Sequence, residues 1–294
     1  MKALILRLWL GIRSYILRCM CELRIHPKVN NIETSIKYLI SNNCSLSRYG
    51  DGEILLMEGY DIAFQKSVPE LRRRLIEVAL ATSNTRHMIG VPDVFHNLNE
   101  FNNKAKVFWE NFLYKGNGLA LINKYFKRNR EYLDTNMTRF YEHFLDKSAT
   151  AQYVFLWKTV WKDKKILIVE GMGSRLGVYN DLFDNTSDIK RILCPAENAF
   201  WYYEKILHLS KKHGKERLVL IALGPTATIL AYDLSVAGLH ALDVGHIDVE
   251  YEWYKMSASQ KQAVHGRYVN EVSQRDIECC TDSSYLAQII EVIA

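Results

Sequence analysis

The sequence predicts an α/β fold: a mostly parallel sheet flanked by helices. Two observations carry this. Short, continuous apolar runs recur in the second half, at 165–169, 189–193, 217–223 and 240–244, and helical periodicity separates most of them, at 198–209 and 226–237. Strands that are apolar on both faces are buried on both faces, and their alternation with helices makes the βαβ units of a parallel sheet. The 294 residues are 48% hydrophobic and 24% charged, near the globular average, so a sizeable core is available. No Ser/Gly-rich linker, repeat or low-complexity stretch divides the chain. The expected organisation is an amphipathic helix at 1–25 followed by a single domain at 26–294.

The first 23 residues are apolar but interrupted by Lys2, Arg7, Arg13 and Arg18. A signal peptide would carry its charge ahead of the apolar block. No run reaches the roughly 18–20 apolar residues of a spanning helix. Two readings remain. The helix lies in a membrane interface with Trp9 and its leucines among headgroups, or it packs on its own domain or on a second subunit, as in a homodimer. His26-Pro27 ends it. Asn31 opens a second helix, to about Asn42, with Ile32, Ile36, Leu39 and Ile40 at helical spacing. A short strand follows at 45–49, and Glu53–Met57 starts another helix. Pro69 stands near the first turn of a stronger one, with Leu71, Leu75, Val78 and Ala79 down one face. The stretch 87–91 is a strand ended by Pro92. From Asn97 to Lys164 the pattern is mostly helical and aromatic, interrupted at 134–138, and reads as helical cover.

A net charge of +5 and a pI near 8.7 fit an anionic substrate or a membrane surface, without arguing for nucleic acid. The 17 Tyr and 6 Trp are compatible with sugar-stacking platforms, although core packing explains most aromatics. Six cysteines include no CxxC pair and no zinc spacing, so free thiols in a reducing cytoplasm are expected. No GxSxG elbow is present, and Cys194 has no identifiable histidine partner.

Arg48-Tyr49-Gly50-Asp51-Gly52-Glu53 packs a cation, two carboxylates and two glycines into six residues. Read as a strand ending in a loop, it points both carboxylates into one space. That suits a hard divalent cation carrying phosphates as its other ligands. Gly-Asp-Gly is equally ordinary turn chemistry.

In a parallel sheet ligands bind beyond the carboxyl ends of the strands. The loop Glu170–Gly177 is glycine-rich and contains Arg175, which suits a phosphate or merely a tight turn. It is neither GxGxxG nor GxxxxGK[ST]. In Cys194–Phe200, Asn198 is expected to cap a helix. Gly224-Pro225-Thr226 opens a helix whose N–H groups suit an anion, or simply caps it. Gly245–Trp253 holds His246 with Asp248, Glu250 and Glu252. If extended, the three carboxylates share one face and repel one another unless a cation or proton intervenes.

Arg48–Glu53, Glu170–Phe183, Cys194–Phe200, Gly224–Thr228 and Gly245–Trp253, in this order, resemble the bacterial GT-D-fold glycosyltransferases, a family first catalogued as a domain of unknown function. The resemblance spans about residues 30–275 and leaves out the first 25. It implies a Rossmann-like fold, a UDP-sugar donor, typically UDP-glucose, and a divalent metal such as Mn2+ (or Mg2+). The family's Asp-x-Glu metal motif falls most naturally on Asp51 and Glu53. Asp248-Val249-Glu250 also spells it, which makes Asp248 a second candidate ligand. Donor contacts are implied at Arg48, Gly171, Gly173, Ser174, Arg175, Asn180, Gly224, Pro225 and Thr226. Met172 and Tyr179 stand where a polar residue and a glycine are expected.

On this reading Glu250, Glu252 or His246 takes the acceptor proton. The acceptor is a glycan hydroxyl: cell-surface polysaccharide, lipid-linked oligosaccharide or glycoprotein glycan. The expected location is the cytoplasm, at the inner face of the membrane. The rivals are a non-catalytic nucleotide-sugar binding module and a metal-dependent phosphatase or nucleotidase.

Overall fold

The computed structural model describes residues 2–81, 86–269, 272 and 280–294, the side chains of 2–8 and 10 excepted. The strands are β1 (Lys28–Val29), β2 (Ser45–Arg48), β3 (His87–Val91), β4 (Glu131–Asp134), β5 (Lys165–Gly171), β6 (Asp188–Cys194), β7 (Leu218–Ala222), β8 (His240–Asp243) and β9 (Ile289–Val292). They form one nine-stranded sheet in the order β1-β4-β3-β2-β8-β7-β5-β6-β9. Every pairing is parallel.

The helices are α1 (Lys2–Glu22), α2 (Ile32–Asn42), α3 (Asp51–Met57), α4 (Pro69–Leu80), α5 (Asn103–Glu110), α6 (Gly118–Tyr125), α7 (Thr150–Trp161), α8 (Tyr203–His213), α9 (Pro225–Val236), α10 (Ile247–Lys255) and α11 (Ser283–Gln288). Asn31 caps α2 by accepting the Thr34 N–H, and Pro69 sits in the first turn of α4.

The twofold alternation of the strands builds the two halves of the core. Leu167 and Val169 of β5, with Val219 and Ile221 of β7, face α4, α8 and α9. Ile166 and Ile168, with Leu218 and Leu220, face α2, α7 and α10, where Trp157, Trp161 and Trp253 are fully buried. The β5–β6 connection covers this second face with Leu176, Leu182 and Phe183, whereas α8, between β6 and β7, covers the first. Connections that diverge to opposite faces leave a crevice above the strand ends.

Three strands escaped the sequence reading. The middle section is not helical cover alone, because β4 lies inside it and pairs with β3. Its four residues hide among aromatic helical stretches. The strand β1 has two residues, and β9 is a half-exposed edge strand.

The N-terminal helix packs on its own domain through its second half. Leu17 and Cys21 are buried in the core, Arg18 lies 4.5 Å above the Tyr114 ring, and Arg13 donates to the Lys115 carbonyl. Trp9, Ile12, Tyr15 and Ile16 remain exposed. Among the described residues no helix is long and apolar enough to cross a membrane.

Candidate active site

The carboxyl ends of β2, β8, β7, β5 and β6 open into a cavity of about 320 Å³. One group of its lining residues is ionic: Arg48, Asp51, Glu53, Arg139, Asp243, His246 and Asp248. Another is largely apolar and holds Phe64, Pro195, Ala196 and Leu223 around Gly224.

Arg48 ends β2, and Asp243 ends the neighbouring β8. Arg48 Nη1 lies 3.3 Å from Asp243 Oδ1, and both side chains are largely buried. The guanidinium also lies against Gly245. A Cβ there would stand 2.0 Å from Nη1, and the residue's φ is +46°. Glycine is required on both counts.

Asp51 and Glu53 occupy the first turn of α3, not a loop. At 100° per residue, side chains at i and i+2 diverge, yet both line the cavity. Glu53 Oε2 folds back to accept the Gly50 N–H at 2.7 Å. Burial pushes the Glu53 carboxyl up to about 7, and the charges of Asp243 and Asp51 add to this. Burial likewise pushes Asp243 to about 6, with Arg48 opposing.

The stretch 247–255 is the helix α10, so Asp248, Glu250 and Glu252 fan out and do not share a face. The extended reading is corrected by packing: Val249, Tyr251 and Trp253 of the helix are buried in the core. Glu250 is fully buried, and its Oε2 accepts the N–H groups of Tyr141 and Glu142 at 2.9 and 3.0 Å. Glu252 Oε1 binds Asn180 Nδ2 at 2.6 Å and Arg267 at 3.3 Å. Neither glutamate lines the cavity. Asp248 does, but it is committed to the buried Arg267, to the Gly177 N–H at 2.8 Å and to Asn180 at 2.9 Å. Of the second Asp-x-Glu, Asp248 thus lines the cavity while held by these partners, and Glu250 lies outside the lining.

The family model for the glycosyltransferase GT-D fold matches residues 46–272. The chain belongs to this family. It is 41% identical over 269 residues to a probable glycosyl transferase, Gly, of Streptococcus gordonii. It is 37% identical over 271 residues to the glycosyltransferase GlyD of Streptococcus pneumoniae serotype 4. Each match covers 90% of this chain, but only 39% and 32% of those longer proteins. A solved GT-D structure, described as a domain of unknown function 1792 with a distinct glycosyltransferase fold, is 37% identical, with a TM-score of 0.89 over 96% of this chain and all of that one. A second, a new glycosyltransferase (DUF1792) from Streptococcus sanguinis, is 39% identical, with a TM-score of 0.87 over 92% of this chain and all of that one.

In this GT-D chain the glycine loop divides its labour. Gly171 and Ser174 line the cavity. The Gly173 carbonyl accepts the Tyr268 N–H at 2.9 Å, and Arg175 donates to the Gly266 carbonyl at 2.7 Å. These contacts, with Arg267 donating to the Val178 carbonyl, strap residues 264–268 across the loop. Gly173, Arg175 and Asn180 thus hold the wall and do not line the cavity. Gly224 lines it, whereas Pro225 and Thr226 lie buried beneath. Asn198 does not cap a helix through its side chain. It adopts a left-handed conformation, and its Oδ1 accepts the Lys66 N–H at 2.8 Å, tying Phe64 to the β6 loop.

The lining residues that were missed include Asp243, Arg139, Tyr268 and Phe64. Asp243 had a signal, a carboxylate at the end of an apolar strand. The other three come from connecting segments without one.

The residues present fit a divalent cation in a specific way. Among the described residues no group of three His, Cys, Asp or Glu forms a metal cage. Mg2+-like ions are commonly held by one or two carboxylates plus substrate phosphates. Asp51 and Glu53, which both line the cavity, offer such a partial set.

Proposed function

We propose that the chain transfers a hexose, glucose in the first instance, from a UDP-sugar to a glycan hydroxyl, with Mn2+ or Mg2+. One observation carries this. In a GT-D fold, the cavity over the strand ends gathers the carboxylates of Asp51, Glu53 and Asp243 beside Arg48. A divalent cation would favour the charged form of these carboxylates and would carry the diphosphate of a donor as its other ligands.

Asp51 and Glu53 are the residues that would hold the cation, which would neutralise charge on the leaving diphosphate. Arg48, fixed by Asp243 and Gly245, adds a permanent cation. The start of α9 at Gly224 presents helix N–H groups to the phosphates. Phe64, Pro195 and Ala196 offer an apolar seat for the base.

Asp243 takes the acceptor proton. Its carboxyl sits near neutral, in the range suited to a general base, and Arg48 orients it. Glu250 and Glu252 have no access to that proton. The acceptor belongs to a cell-surface polysaccharide, a lipid-linked oligosaccharide or a glycoprotein glycan.

The test is release of UDP from UDP-glucose with Mn2+, with and without a panel of acceptors. Slow hydrolysis or acceptor-stimulated release supports the transferase. Inorganic phosphate as the product would mark a phosphatase, and binding without turnover across the panel would mark a binding module.

A further inference from the structure

We infer that the groove between α4 and α8 is a second carbohydrate subsite, in which Trp201 is the stacking platform for a neutral oligosaccharide. The groove has a volume of about 740 Å³. At its floor lies α9, which packs against both helices. There Asp233 pairs with Arg74 and accepts the Tyr203 hydroxyl at 2.5 Å. One wall is α4, where Arg73 grips Glu70 through Nε and Nη2 at 2.9 and 2.6 Å. The other is the tight turn Ala199–Tyr202 running into α8, where the Phe200 and Tyr203 rings stack 5.2 Å apart. Trp109, Trp157, Trp161 and Trp253 are buried, but Trp201 on this turn is 62% exposed. The turn beneath it is fixed. The Asn198 N–H donates to the Phe64 carbonyl at 2.9 Å, and the Asn198 carbonyl accepts the Trp201 N–H at 3.0 Å. An indole carried on a fixed backbone loses little freedom when a ligand stacks on it.

The lining selects the class of ligand. Arg73, Arg74 and Lys205 balance Glu70, Glu204 and Asp233. A wall without net charge gives a phosphate-rich ligand no net attraction, whereas sugar hydroxyls use donors and acceptors alike. The C–H face of a pyranose is apolar and suits the exposed indole, whose N–H can meet a hydroxyl. A protein partner would need roughly 800 Å² of contact on this side, but the exposed aromatic surface here is that of Trp201 and Tyr202. The groove also adjoins the active-site cavity. Ala199 lines the cavity, while Phe200 and Trp201 line the groove. Two residues of chain span at most about 7 Å. An acceptor glycan whose terminal sugar enters the cavity reaches Trp201 with the units behind it, an assignment that rests on the function proposed above.

The test uses the intact chain without donor or metal. Cellopentaose, maltopentaose and chitopentaose are each titrated, with tryptophan fluorescence and saturation transfer to the sugar C–H signals as readouts. At least one is expected to bind and to shift the emission to the blue as Trp201 is covered. Trp201→Ala, at an exposed position, should weaken that binding about tenfold or more, as truncation of an aromatic anchor does. Trp201→Tyr should retain most of it. Binding by none of the three, or binding unchanged in Trp201→Ala, overturns the inference. So does self-association of the wild type, read by sedimentation, that Trp201→Ala abolishes, because the groove would then be a protein interface. In turnover, Trp201→Ala should raise KM for an oligosaccharide acceptor about tenfold, while UDP release from UDP-glucose without acceptor stays within about twofold of wild type. An equal rise in KM for a monosaccharide acceptor would contradict a subsite beyond the cavity. If the wild type turns over no UDP-sugar, the proposed function fails, and the titration still decides the groove.

Discussion

Arg48 and Asp243 meet 3.3 Å apart although 195 residues separate them in sequence. They end adjacent parallel strands, and β2 pairs with β8 through Leu46 and Leu242. Their contact joins the first half of the chain to the second at the floor of the cavity.

Gly245 keeps that contact in place. Gly245→Ala should displace the Arg48 guanidinium and force a side chain into the left-handed region. The expected cost is about 1–3 kcal/mol of stability, with at least a tenfold loss in kcat/KM. Denaturant midpoints and donor turnover on the same preparation check both.

The buried carboxylates set a sign for the pH dependence. Glu53 rises from 4.5 to about 7 and Asp243 from 3.8 to about 6, so the folded state binds more protons than the unfolded state between those values. Stability from these groups is present below the unfolded pKa values and is lost as pH rises through about 6 to 7. The contribution of Glu53 and Asp243 to the metal-free protein's stability should therefore fall from pH 4 to pH 8, and Glu53→Gln should remove its share of that fall relative to wild type. Addition of Mn2+ at pH 8 should restore stability, by about 2.7 kcal/mol at 100 times its Kd. Urea titrations at the two pH values, with and without the ion, measure each effect.

Glu250 should behave as a structural residue. Glu250→Gln keeps the shape but weakens the acceptance of two backbone N–H groups. About 1–3 kcal/mol of stability should be lost, with kcat per folded molecule within about threefold of wild type. A kcat loss of 100-fold at unchanged stability would return the residue to the chemistry.

The exposed face of α1 is expected to touch lipid. Trp9 is 54% exposed and Tyr15 70%, while Leu17 and Cys21 anchor the helix from below. Flotation with anionic vesicles should therefore recover the wild-type protein but not Trp9→Ser/Tyr15→Ser, which spares the packed side. Equal flotation of the two would leave this face without a membrane role.

Much of this was legible in the residues. The runs at β5 and β7 announce a parallel sheet because both of their faces are buried, as Ile166 and Leu167 show on opposite sides. The edge strands β1 and β9 were not, since pairing at an edge needs little apolar sequence. The Arg48–Glu53 segment declared its chemistry but not its conformation. Gly-Asp-Gly reads as a turn, while the Glu53–Gly50 capping contact makes it a helix start. The conformation of the Asp248–Glu252 stretch was misread for a related reason. Acidic residues at every second position read as one strand face, but helical rotation sends each to a different partner. The pair Arg139–His246 joins segments 107 residues apart, which only the tertiary fold reveals.

The central claim is that Asp51 and Glu53 serve a metal-dependent transfer from a UDP-sugar. The most direct measurement is UDP release from UDP-glucose and Mn2+ by the wild-type chain, Asp51→Ala and Glu53→Ala, each shown to be folded. Turnover by the wild type, lost on chelation and abolished in both variants, is the expected result. Wild-type turnover in either folded variant would contradict it.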